Sequence, residues 1–172
     1  MFTDISNFSN INNYFPIVNG AMITDFVVIY LLKINIIKSK TLMEWYKKYE
    51  IGAFIADVLS IVICVIIARF FYSSIFKKWS IFNFLILVVV VQLIHDLLFA
   101  KLFYSIPRYT SPILDTFKDY ANENGLFILL ADAMMMISTA LLSSLMSNFK
   151  INTNIIIFII LLYSMPYFIY SL

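Results

Sequence analysis

Four aspartates, Asp25, Asp57, Asp96 and Asp132, and the single histidine, His95, fall inside long apolar runs of this chain. An ionisable side chain at bilayer depth is expensive to insert, so it needs either a partner or a task. Clustered carboxylates repel one another, and a histidine such as His95 is the side-chain type that could shuttle a proton between them near neutral pH. Asp and His also offer oxygen and nitrogen donors to divalent ions. A regular helix, however, points the neighbours His95 and Asp96 about 100° apart, and within the apolar runs strong ligands nowhere recur at i,i+4. Met134, Met135 and Met136 fan around a helix, which suits adaptable packing rather than copper. Nucleophilic catalysis has little support: no G-x-S-x-G elbow is present, and the lone Cys64 sits in an apolar run that disfavours its thiolate. A serine hydrolase would need Ser143 or Ser147 beside His95, and their depths differ. The residues name no cofactor, no disulfide framework and no zinc motif.

The elements that must position these groups are membrane spans. Of 172 residues, 62% are hydrophobic and 13% charged, where a soluble domain carries about 25% charged residues. Lys and Arg exceed Asp and Glu by only 12 to 10, which gives no footprint for nucleic acid. A bilayer core of about 30 Å takes roughly 20 helical residues. Five segments qualify, near 15–37, 51–72, 81–104, 125–147 and 154–170. The first is interrupted by Asp25 and Lys33, so four spans are the fallback if it does not cross. The last is uncharged and should face lipid most. The fold expected is an all-α integral membrane bundle forming one domain over 15–172. Residues 1–14, rich in Asn and lacking Lys or Arg, read as a short, poorly ordered tail and carry the wrong charge for a signal-peptide start.

Lys and Arg on the two sides number eight against four, which places the N-terminus outside and the C-terminus inside. Trp45, Tyr46, Tyr49 and Trp79 fall at span ends, where interfacial aromatics belong. Arg69 and Lys101 read as residues reaching toward headgroups. In the loop 107–124, Ser111–Pro112 starts a helix well. Ile113, Phe117, Tyr120 and Ala121 then share one face, opposite Asp115, Lys118, Asp119 and Asn122. This predicts a short interfacial helix near 112–122, ended by Asn124–Gly125.

By rise per residue, Asp57 lies about 9 Å from the inner end of its span, and Asp96 and Asp132 about 12 Å from theirs. Three acids and His95 thus occupy one layer, with Asp25 nearer mid-membrane. Ala53, Asp57, Ser60, Cys64 and Ala68 share one side of the second span. Asp132, Thr139, Ser143 and Ser147 share one side of the fourth, and Gln92, His95 and Asp96 one arc of the third. The simplest bundle turns all three stripes inward, making Asp57, Gln92, His95, Asp96 and Asp132 the candidate polar site and Asp25 a secondary candidate.

The stretch VQLIHDLLFAKLFYSIPRYTSPILDTFKDYANENGLFILLADAMMM resembles small multi-pass membrane proteins of large nucleocytoplasmic DNA viruses, and the likeness runs over roughly residues 45–170. The Ile-, Phe-, Asn- and Lys-rich composition agrees with an AT-rich genome. The chain also resembles bacterial four-helix membrane proteins that place an Asp in an early span, an aromatic–Asp pair in a middle one and an Asp in the last. Asp57, His95–Asp96 and Asp132 would take those places, with His95 replacing the aromatic residue and a fifth span added. Neither resemblance implies a catalytic assignment.

Three functions fit. The first is a structural or interaction component of a membrane, whose buried acids specify helix packing. The second is a proton- or ion-coupled transporter using the Asp/His layer, although five spans are few unless copies associate as a homo-oligomer. The third is an integral-membrane enzyme with an inward-opening pocket beneath 105–124. A water-filled cavity reaching the acids would separate the last two from the first. The one partner implied throughout is the lipid bilayer.

Overall fold

A computed structural model describes residues 2–172. Six helices and no strand occur among them: α1 Tyr14–Lys33, α2 Lys40–Ile75, α3 Ile81–Ser105, α4 Pro112–Asn124, α5 Phe127–Met146 and α6 Ile151–Ile169. Five of these are long and apolar enough to cross a membrane, α1 with its leading turn included. The chain is an all-α membrane bundle of five spans. They alternate in direction. The N-terminal segment meets the end of α5, where Ser144 Oγ donates to the Thr3 carbonyl at 2.6 Å. The C-terminus reaches the opposite end, where Lys33 donates to Ser171 Oγ at 2.7 Å.

The α1 helix, whose charges made it the weakest candidate in sequence, is the most buried of the five. It packs most extensively on α5, then on α6 and α2, and α3 closes the bundle against α5 and α2. The small and polar residues of α1 explain its central place. Gly20 faces Thr139 and Ser143 of α5. Thr24 accepts from Thr139 Oγ1 at 3.2 Å, and Asn19 donates to the Asn154 carbonyl at 2.9 Å. Without a hydrophobic force between helices in lipid, close backbone approach and such bonds hold spans together. Uncharged α6 is the least buried span, with its apolar side chains turned outward as expected.

Between α1 and α3 the chain does something that hydropathy does not announce. Glu50 takes a left-handed φ of 49° and breaks α2 into 40–49 and 51–75. The first piece folds across one end of the bundle beside α4. Ser39 caps it through Leu42 N at 3.2 Å. The α4 helix begins after Ser111 with Pro112 in its first turn, though the Ser111 side chain makes no capping bond, and it ends at Gly125, whose φ is 54°. Together 40–49 and α4 form a two-helix cap over that end.

Three expectations need correction. Arg69 does not reach outward: it is completely buried, and its Nη2 donates to the carbonyls of Asn7 and Asn10. The segment around those carbonyls is accordingly a packed layer and not a loose tail, with Ile5 and Asn13 buried and Phe8 edge-on to Phe70 at 5.5 Å. Lys118, assigned to the solvent face of α4, is that helix's buried residue and donates to the Ile106 carbonyl at 2.5 Å. In each case a cation finds backbone carbonyls where the apolar pattern offered only lipid or solvent.

Candidate functional site

The acids meet just beneath the cap. Asp25, on α1, is fully buried and accepts a hydrogen bond from Tyr46 at 2.8 Å. Tyr46 lies on the 40–49 piece, and its hydroxyl also feels the nearby Asp57 electrostatically. Asp57, half-buried on α2, accepts from the Trp45 indole at 2.9 Å. Across the bundle, Asp96 on α3 and Asp132 on α5 lie close enough to interact directly, where the two helices pack together. Gln92 donates to Asp96, and His95 Nδ1 lies 3.2 Å from the other oxygen of Asp96. The two halves are in electrostatic contact through Asp57 and Asp132. The structure therefore brings together all six candidate residues, with Asp25 the most deeply buried of the acids rather than a peripheral one.

No Lys or Arg stands opposite these acids. Among the described residues the ion pairs are His95–Asp96, Arg108–Asp119 and Lys118–Asp115, and the last two belong to the cap. His95 stacks on Phe99 at 6.1 Å and keeps 37% of its side chain exposed, against 19% for Asp96. The layer thus runs from a sealed end at Asp25 to a more open end at His95. Thr139, Ser143 and Ser147 do not join it; Thr139 bonds to Thr24, while Ser143 and Ser147 return to carbonyls of their own helix. Among the described residues no three His, Cys, Asp or Glu side chains converge as a metal ion would require.

Aromatic side chains form the roof. Phe117 of α4 lies 4.9 Å from Trp45 and 5.0 Å from Phe99, ring to ring. Tyr49 meets Thr116 at 3.2 Å. Tyr120 is half-buried beside the acids; burial, then the fields of Asp132, Asp57, Glu123 and Asp96, pushes its hydroxyl up. Trp45 and Tyr46 are therefore site residues and not the interfacial belt expected of them. The signal that marks them is the helical spacing of Leu42, Trp45, Tyr46 and Tyr49, one apolar face among charged neighbours.

Glu123 fastens the cap. Its carboxylate accepts from the amides of Lys40 at 2.7 Å and Thr41 at 2.8 Å, closing the N-terminus of α2. Desolvation opposes the charged form, but hydrogen bonds from Thr41, Lys40 and Ser39 outweigh it and hold Glu123 below the usual glutamate range. A carboxyl lowered in the folded state stabilises fully above its ordinary range and loses that contribution as pH falls through the folded value. Glu123→Gln should therefore cost about 1 kcal/mol, as an N-cap does, at neutral pH. The gap to the parent in thermal midpoint should close on acidification below the glutamate range; a constant gap would refute this.

Two surface concavities lie elsewhere. One is in the cap surface between Thr41, Lys48, Tyr109 and Asp119, and the other lies under the N-terminal segment. Comparison with protein-family models, curated proteins and solved structures gave no match for this chain.

Proposed function

We propose that this chain is an architectural component of a membrane, a bundle whose buried acids join its spans and cap into one arrangement. The observation that carries this reading is that the acids are spent on joints. Asp25 ties α1 to the cap piece through Tyr46, and the Asp96–Asp132 pair ties α3 to α5. Asp57 anchors the folded-back 40–49 piece through Trp45. The Lys and Arg count favours the cap facing inside, and the resemblance to viral multi-pass proteins suggests a virus-encoded membrane as its setting. A double-mutant cycle on Asp96→Ala and Asp132→Ala, read as unfolding in detergent, tests the joint. Interhelical polar pairs in membranes couple by about 0.6 kcal/mol and at most roughly 1.7, and a coupling in that range is expected here. Zero coupling, with stability unchanged or raised, would mean the acids are held at the expense of stability and would reject the architectural reading.

One observation favours a second reading. A carboxyl pair with no cation opposite it, touching a partly exposed histidine, is also what a proton-exchanging site requires. Proteoliposomes containing a pH-reporting dye, driven by a potassium diffusion potential, distinguish the two. The architectural reading expects no protein-dependent proton flux. Flux abolished by Asp96→Asn or Asp132→Asn would replace it with proton-coupled transport.

A further inference from the structure

At the end of the bundle away from the acids, a cation is buried without a carboxylate in ion-pair contact among the described residues. Arg69 of α2 has no exposed surface. Its Nη2 donates to the carbonyls of Asn7 and Asn10 at 2.5 and 2.9 Å, and its Cζ lies 4.8 Å from the centre of the Tyr14 ring. Its Nε and Nη1 are buried and have no hydrogen-bond partner among the described residues. No carboxylate pairs with it among the described residues. Asp4, whose charge acts on it, turns Oδ1 instead to the Ser6 amide and hydroxyl at 2.8 and 2.7 Å.

A buried lysine could shed its proton in such a place, but a guanidinium cannot. Burying a charge with open donors is tolerable only when a partner of opposite sign completes it. Arginine is also the side chain that grips oxyanions best, through its rigid fork of donors. We propose that Arg69, roofed by the N-terminal segment, binds one compact anion, a halide or a single oxyanion, through Nε and Nη1. Full enclosure excludes a polyphosphate. A polar cavity of about 340 Å³, walled by Thr3, Asn10, Asn13 and Ser147 but not by Arg69 itself, lies next to the guanidinium across Asn10. Asp4 also lines that cavity, which weighs against a multiply charged ligand.

The same chemistry could come from free anions or from a lipid phosphate, and unfolding of the full chain separates them. Protein exchanged into gluconate is titrated in nonionic detergent with chloride or inorganic phosphate at fixed ionic strength, and separately with short-chain phosphatidylglycerol. A ligand that binds only the folded state raises the unfolding midpoint saturably. A rise of several degrees with a free anion, absent in Arg69→Gln and retained when exposed Lys77 and Lys78 become Gln, supports a free-anion site. The same pattern with phosphatidylglycerol alone supports a headgroup phosphate. A flat parent in all three titrations, or an identical rise in Arg69→Gln, overturns the proposal. Should Arg69→Gln not fold, calorimetric titration of the parent decides: no saturable heat with any of the three probes also overturns it.

Discussion

Gly20→Ala is expected to destabilise the bundle, although Ala is the better helix former. In a helix interior the exchange ordinarily gains about 0.5–1 kcal/mol from reduced backbone entropy. Here an added Cβ would lie 2.6 Å from Ser143 Oγ and 2.9 Å from the Thr139 carbonyl oxygen. Neither atom yields easily. Ser143 Oγ is held by its own bond to the Thr139 carbonyl at 2.6 Å, and that carbonyl belongs to the α5 backbone. Overpacking of this kind typically costs about 1–3 kcal/mol, so the steric penalty wins and α1 moves away from α5. Parting the two strains the Thr24–Thr139 bond as well. Gly20→Leu should prevent the spans from associating at all. Ser143→Gly placed in the Gly20→Ala background removes the nearer clash and leaves the carbonyl, so recovery should be partial. Unfolding in detergent measures all three; an Ala variant as stable as the parent would show that α1 and α5 do not approach this closely in the membrane.

The same contact shows what hydropathy alone reveals. Five spans follow from apolar length, and small and polar residues on one side of a helix mark where neighbours come close. The inward stripes of α2 and α3 needed nothing more. The stripe on α5 was half misleading, because Thr139 and Ser143 face Gly20 and Thr24 of α1 while Asp132 faces Asp96. Helical period places residues on one side but does not say which neighbour that side meets. The cap was legible only in part. The α4 helix is visible from its amphipathic spacing and from the Ser–Pro and Gly that bound it. The apolar face of 40–49 shows in the same way, but its placement does not, because it depends on a left-handed Glu50, and nothing in the side chain of a glutamate signals positive φ. Trp45 and Tyr46 then look like aromatics at a span end, and only the reversal at Glu50 turns them onto Asp57 and Asp25. Arg69 escaped for a related reason. Its partners are backbone carbonyls of the N-terminal segment, and carbonyls leave no trace in composition.

Tyr46→Phe, which removes a single oxygen, should have one of the largest effects of any conservative change in this chain. Tyr46 is 1% exposed and Asp25 is wholly buried. Among the described residues the Tyr46 hydroxyl is the one hydrogen-bond partner of Asp25, whose second oxygen already has none. Deleting one member of a buried pair costs the desolvation penalty of the group left behind, about 1–3 kcal/mol and more if it is charged. The upper end is expected, because neither Asp25 oxygen would then have a hydrogen-bond partner among the described residues. Removing both members of the pair should be milder than removing one, since an apolar replacement leaves nothing unsatisfied. Tyr46→Phe combined with Asp25→Leu should therefore be more stable than Tyr46→Phe alone, the reverse of additive behaviour. If Tyr46→Phe unfolds with the parent, the Asp25 carboxyl is served by something other than this hydroxyl, and the joint between α1 and the cap is not polar. The variant also bears on function. Under the architectural reading it loosens the cap and produces no change in proton movement. Under the proton-exchange reading it removes the one hydroxyl bonded to Asp25 beside Asp57, so flux would fall even under conditions where the protein remains folded.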